Sequence, residues 1–207
     1  VGPWPHLPWG RSVGTELGPE ACRSVDAEIV DFLDFHLKGL GASGPAYRLF
    51  DLGHKNWRDF SAIGERPDLT LFLGSNGLAA TTSTEGSLLQ GPRDEASDFL
   101  VHDPWRPAPA VGLQWAFPSV YCDRSAVDDR TDVAVYTTPP LSEELCVAGP
   151  VHAELHVDCD RPSHDLNCTL SVIWPDGSAM TLTGGHLRVQ DSLAPGPRHI
   201  EMRATCA

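Results

Sequence analysis

The sequence predicts a mainly β protein, an all-β sandwich or jelly roll, with one amphipathic helix in front of it. Three observations carry that prediction. Residues Ala21 to Leu37 (ACRSVDAEIVDFLDFHL) repeat apolar side chains at helical spacing. The stretch GLGASGP, Gly39 to Pro45, then breaks the pattern. After Pro45 the chain reads as short apolar runs separated by Gly, Pro, Asp and Asn, the signature of many short strands. The division falls at residues 1–44 and 45–207.

In the helix, Val25, Ile29, Phe32, Leu33, His36 and Leu37 form the apolar stripe, with Asp26, Glu28, Asp31 and Asp34 largely opposite. Lys38 suits the negative end of the helix dipole, and Gly39 suits a left-handed cap. Strands are expected at Tyr47–Leu52, Leu69–Leu73, Phe99–His102, Asp132–Tyr136 and Val151–Cys159. Further strands are expected at Asn167–Trp174, Met180–Leu182, His186–Val189 and His199–Ala204. Pro175-Asp176-Gly177, between LSVIW and SAMTL, reads as a hairpin turn. Pro104, Pro107 and Pro109 make WRPAPAV a loop.

Composition narrows the function. The chain has 207 residues and a formal charge of −13, which argues against nucleic acid and anionic membrane as partners. No apolar run approaches the ~20 residues that a spanning helix needs. The six cysteines show neither C-x-x-C nor zinc-like spacing and read as small buried hydrophobes, which favours a reducing compartment such as the cytoplasm. In VHAELHVDC, His152, Glu154, His156 and Asp158 share one face. Alternation makes that face the solvated side of a sheet rather than a metal site. Asn167-Cys168-Thr169 matches a glycosylation acceptor by chance, since it falls in an expected buried strand.

His6, in VGPWPHLPWG, is the one candidate catalytic residue. A histidine base needs a nucleophile within hydrogen-bond reach and a carboxylate to orient its second nitrogen. Ser43, Ser75 and Ser178 lie near glycines, yet none forms Gly-x-Ser-x-Gly. In α/β-hydrolases the chain order is Ser, then Asp or Glu, then His, with a closing helix after the histidine. A catalytic His6 therefore places its serine and acid upstream of Val1, and the helix at Ala21–Leu37 fits the closing helix. Val1 is no start residue, and HIEMRATC ends the sequence with no closing element. The chain is accordingly expected to be a segment of a longer protein.

These residues also carry a family likeness. GPWPHLPWGRSVG followed by GPEACRSVDAEIVDFLDFHLKG resembles the histidine loop and final helix of the CocE/NonD serine hydrolases. That group comprises esterases, acylases and X-prolyl dipeptidyl-peptidase-like enzymes. YRLFDLGHKNWRDF, TLFLGSNGLAATTSTEGSL, FLVHDPWRPAP, DDRTDVAVYTTPPLSEELCVAGPVHAELHV and WPDGSAMTLTGGHLRV resemble successive strands and loops of the same family. Asp51, His54 and His186 depart from it, standing where members are often apolar.

The resemblance implies a galactose-binding-like jelly roll over 45–207, stopping before the family's last strands. Residues 1–44 would be the end of an α/β-hydrolase core. It implies that His6 is the triad base, acting with no cofactor or metal on an ester, amide or peptide substrate, with the upstream catalytic domain as partner. The alternative is a jelly-roll binding module for a carbohydrate or a partner domain. If the hydrolase reading holds, the apolar face of the helix should be partly uncovered in this chain.

Overall fold

The computed structural model describes residues 1–4, 17–22, 25–64, 69–93, 96–112 and 121–207. It is mainly β. Helix α1 spans Val25–Leu33 and continues as a wider turn of π type over Asp34–Lys38. Gly39 closes it at φ 70°, a left-handed conformation that costs glycine little, and its N–H reaches the Phe35 carbonyl at 3.1 Å. Lys38 pairs with Asp34 at 2.6 Å across the last turn. The predicted helix and its cap are both present, with a start four residues later than expected.

Nine strands follow among the described residues. Strands β1 (Tyr47–Asp51) and β2 (Asn56–Phe60) form an antiparallel hairpin; β3 (Phe72–Gly74), β4 (Gly86–Leu89) and β5 (Tyr136–Thr137) form a small mixed sheet. The long strands are β6 (Ala148–Val157), β7 (His164–Ile173), β8 (Ala179–Val189) and β9 (Gly196–Cys206). β6 pairs with β9 and β7 with β8, both antiparallel. The expected hairpin turn joins β7 to β8: Gly177 takes φ 89° and donates to the Trp174 carbonyl at 2.9 Å, while Asp176 accepts from the Ser178 N–H at 3.0 Å. A short helix α2 (Ser125–Asp128) lies beside the β8 start.

The β6–β9 ribbon packs against the β7–β8 ribbon as the two layers of a sandwich. Thr183 donates to the Arg203 carbonyl at 2.6 Å and Thr205 to the Leu182 carbonyl at 3.2 Å, so hydroxyls stitch β8 to β9. Ile200, Met202, Thr181 and Thr183 are buried between them. Gly185 makes this approach possible, because a Cβ there would stand 2.4 Å from the Glu201 carbonyl oxygen and 2.8 Å from Ile200 Cγ2.

Several expectations need correction. Phe99–His102 is not a strand; Phe99 is 82% and Val101 77% exposed, so among the described residues no layer covers the run. Of the expected Asp132–Tyr136 only Tyr136 lies in a strand, β5, which runs on to Thr137; Asp132 is held in a turn by a two-pronged pair with Arg130 at 2.7 Å. The expected strands Met180–Leu182 and His186–Val189 are one strand, since Gly184 and Gly185 stay extended instead of turning. Strands β2 and β4 were not foreseen. Asn167 lies on β7 but on its exposed side, bonded to His186 at 2.9 Å, so the premise of a buried strand does not hold there. The cysteines are free, yet only Cys206 is buried; Cys22 and Cys146 are exposed.

The close approach at Gly185 yields a test. Gly185→Ala should lower stability by about 2 kcal/mol, as overpacking does, and the melting temperature by at least about 4 °C for a chain of this size. Gly91→Ala, with no heavy atom within 4 Å of its added Cβ, should leave the melting temperature unchanged by circular dichroism.

Candidate functional site

His6 lies outside the described residues, as does all of 5–16. Both chain segments that flank this stretch are described, and both are fastened to the sandwich. On the upstream side, the Val1 amino nitrogen donates to the Arg48 carbonyl at 2.5 Å, and the Val1 carbonyl accepts from the Phe50 N–H at 3.0 Å. These two bonds add Val1 to the free edge of β1. Pro3 is buried behind it.

On the downstream side, Gly18 at φ 79° leads into a single 3₁₀ turn, Pro19–Ala21, whose proline needs no N–H partner at that position. Leu17 is 1% exposed and Ala21 is fully buried, in one cluster with Phe50, Leu52 and Tyr121. Carbonyls at the end of a helical turn lack partners within it. Two indoles supply them: Trp4 donates to the Ala21 carbonyl, and Trp57 to the Glu20 carbonyl at 2.7 Å. Trp4 and Trp57 also touch each other, ring centroids 5.5 Å apart and tilted by 50°. Trp57 meets Phe50 edge-on at 5.4 Å. Each half-buried indole packs its rings and hands its N–H to a carbonyl, the use to which tryptophan is suited.

Beneath the β1–β2 turn sits Asp51, a fully buried carboxylate. It accepts from the His54 N–H at 2.9 Å, the His54 ring nitrogen Nδ1 at 3.1 Å and Arg58 at 3.1 Å. Burial alone pushes its pKa up, but the hydrogen bonds from His54 and Arg58 outweigh that and hold it below the ordinary aspartate value. Asp51 and His54, which depart from the family pattern, are therefore partners: one buried carboxylate satisfied by the turn it closes.

The stripe of α1 is uncovered as expected: Ile29 is 46%, Phe32 61% and Leu33 43% exposed, and no residue of the helix is buried. Its tie to the sandwich is polar, Glu28 to Arg48 at 3.2 Å. His152, Glu154 and His156 all point outward on β6, and Glu154 faces His199 across the ladder at 3.5 Å. Among the described residues no three His, Cys, Asp or Glu side chains converge as a metal site. A separate open cavity of about 820 Å³ lies between β4, α2 and the β7–β8 turn, lined by polar and apolar residues that include Ser87, Ser125, Asp128, Thr137, Leu89 and Ile173.

Sequence reasoning singled out His6 and missed the side chains that fasten its neighbours. Trp57 stands in NWRDF, a run without alternation, and its signal was the indole itself: a large side chain whose N–H needs a carbonyl.

The family model described as the X-Pro dipeptidyl-peptidase C-terminal non-catalytic domain matches residues 40–196. Cocaine esterase from Rhodococcus sp. (strain MB1 Bresler) is 31% identical over 204 residues, covering 92% of this chain and 35% of the esterase. The chain thus spans about a third of the length of that curated relative.

The buried carboxylate sets a pH dependence. A depressed folded pKa contributes stability that is complete above the unfolded value near 3.8 and is lost as pH falls through the folded value. The melting temperature of the native chain should therefore fall between pH 5 and pH 3, and Asp51→Asn should flatten that slope while lowering stability at pH 7. Parallel acid slopes in the two proteins would assign the titration to other groups.

Proposed function

The chain belongs to the family of X-Pro dipeptidyl-peptidase C-terminal non-catalytic domains, and from that premise we propose that it works as the C-terminal part of a serine hydrolase, with His6 as the base of the triad. Its nucleophile and acid precede Val1 in the order Ser, Asp, His. Residues 1–44 close the catalytic core, and 45–207 form the sandwich. His6 takes the serine proton during acylation and returns it to the leaving alcohol or amine. The substrate is an ester, amide or peptide.

The observation that carries this reading is the fastening of both flanks of the His6 segment to the sandwich, through Val1, Trp4, Leu17 and Ala21. A surface histidine in a plain aromatic turn needs no such anchorage. The bare stripe of α1 supports it further, since a helix closing a hydrolase core would bury Ile29, Phe32 and Leu33 against that core.

His6→Ala in the polypeptide that includes the upstream domain should lower kcat by about 10³-fold or more, with residual activity from binding and the oxyanion site. Normal kcat would overturn the assignment. The 207-residue chain by itself should not turn over p-nitrophenyl esters. Fluorophosphonate-sensitive hydrolysis by this chain would place a nucleophile on it and defeat the proposal.

A second reading, a binding module for carbohydrate or a partner domain, is favoured by the open cavity beside α2, whose volume lies in the range of ligand pockets. Saturable binding of a neutral oligosaccharide to this chain, together with full activity of the His6→Ala hydrolase, would carry it instead.

A further inference from the structure

One apolar stretch of the chain is left uncovered by the described residues and is nevertheless held in place. Residues 99–106 form an arm on which Phe99, Leu100, Val101 and Trp105 are all exposed, Trp105 at 91%. Both ends of the arm are tied. At its root Asp98 accepts from the Ser75 hydroxyl, the Ala79 N–H and the Tyr136 hydroxyl, which fixes it to the small β3–β4–β5 sheet. At its tip the Asp103 side chain accepts from the Trp105 N–H at 2.9 Å, and the Asp103 carbonyl accepts from the Arg106 N–H at 3.0 Å. The Arg106 carbonyl in turn accepts from Arg130 at 2.6 Å, and Arg130 is fixed by its pair with Asp132. From this arrangement we infer that residues 99–106 are a docking arm for the catalytic domain that precedes the sandwich in the same polypeptide. This rests on the reading of the chain as the C-terminal part of a hydrolase, and not on the role of His6.

The physics is that of an anchor set before its partner arrives. An exposed Trp and Phe add nothing to the sandwich core, whereas in a contact each buries about 150–250 Å². A backbone already held by Asp98, Asp103 and Arg130 has less freedom left to lose on docking. The composition fits as well. Both carboxylates of this stretch are engaged by the donors above, and aromatic side chains beside an arginine are what interface centres favour. Charge and chain length choose the occupant. A second copy would bring another formal charge of −13 to the contact. A domain on the same polypeptide docks intramolecularly, at a high effective concentration. The match to the esterase covers 35% of that relative, so the larger part of such a polypeptide stands outside the sandwich and supplies the cover.

The test compares side-chain labelling by hydroxyl radicals in the 207-residue chain and in the polypeptide that includes the upstream domain, read by mass spectrometry. Labelling of Trp105 and Phe99 should be about tenfold lower in the longer polypeptide, as for exposed anchors that become the centre of an interface. Phe32 on α1 reports separately on the hydrolase core and should lose labelling too. Loss at Phe32 with Trp105 and Phe99 labelled equally in both chains overturns the inference and leaves the functional reading standing. No loss at any of the three overturns both. Labelling of Trp105 that falls in the 207-residue chain alone as its concentration rises would make a second copy the occupant and overturn the inference.

A substitution reads the same contact through stability. Trp105→Ala should leave the melting temperature of the 207-residue chain unchanged, because the side chain is almost wholly exposed there. It should lower that of the longer polypeptide by about 2 °C or more. Equal shifts in the two chains, or none in the longer one, would show that Trp105 is not an anchor between domains.

Discussion

Strand β1 is bonded along both edges, and the rest of the molecule is arranged around that constraint. One edge carries the β2 hairpin from Tyr47 opposite Phe60 to Asp51 opposite Asn56. The other edge is shared: Val1 takes the Arg48 and Phe50 positions, and the Leu52 N–H donates to the Cys206 carbonyl at 3.0 Å. A buried strand must satisfy every N–H and C=O, so the start of the chain, the first hairpin and the last strand are tied to one another through five residues. Leu49, Phe50, Asp51 and Leu52 are all buried as a result. Val1, the β1–β2 hairpin and the end of β9 thus share this one strand's hydrogen bonds.

Buried or half-buried carboxylates do similar work where strands are short. Asp98 accepts from the Ser75 hydroxyl at 2.7 Å, the Ala79 N–H at 2.8 Å and the Tyr136 hydroxyl at 2.7 Å. Burial raises its pKa and these donors lower it, with a net depression. Tyr136 is pushed the other way, by its own burial and by the adjacent carboxylate. One side chain thereby joins the loop after β3, the segment before Phe99 and strand β5, a job that a longer sheet would otherwise perform with backbone bonds.

The parts legible in the sequence were those governed by local pattern. The α1 stripe, the Gly39 cap, the Asp176-Gly177 turn and the alternation of β6 each follow from residues within a few positions of one another. The parts that were not legible depend on distant partners. Phe99–His102 has strand-like composition but pairs with no strand among the described residues, and Asp132 stands in a turn where Arg130 holds it. Gly184 and Gly185 read as a break because no sequence rule announces that β9 passes within 2.4 Å of where a side chain would stand. At the candidate site, chain order and likeness pointed to His6, whereas Trp57 touches Trp4 and the Glu20 carbonyl, both far from it in sequence. Cooperation of that kind has no local signature.

The bare stripe of α1 has a consequence for how the chain behaves in bulk. Phe32 at 61% and Leu37 at 76% exposure make an adhesive spot on a molecule whose formal charge is −13. Two copies approaching through that spot must first come within range of their mutual repulsion, which extends about 30 Å at 0.01 M salt and about 8 Å at 0.15 M. The chain is in effect a charged colloid carrying a sticky patch. Self-association through that patch would depend on the ionic strength of the buffer as well as on concentration.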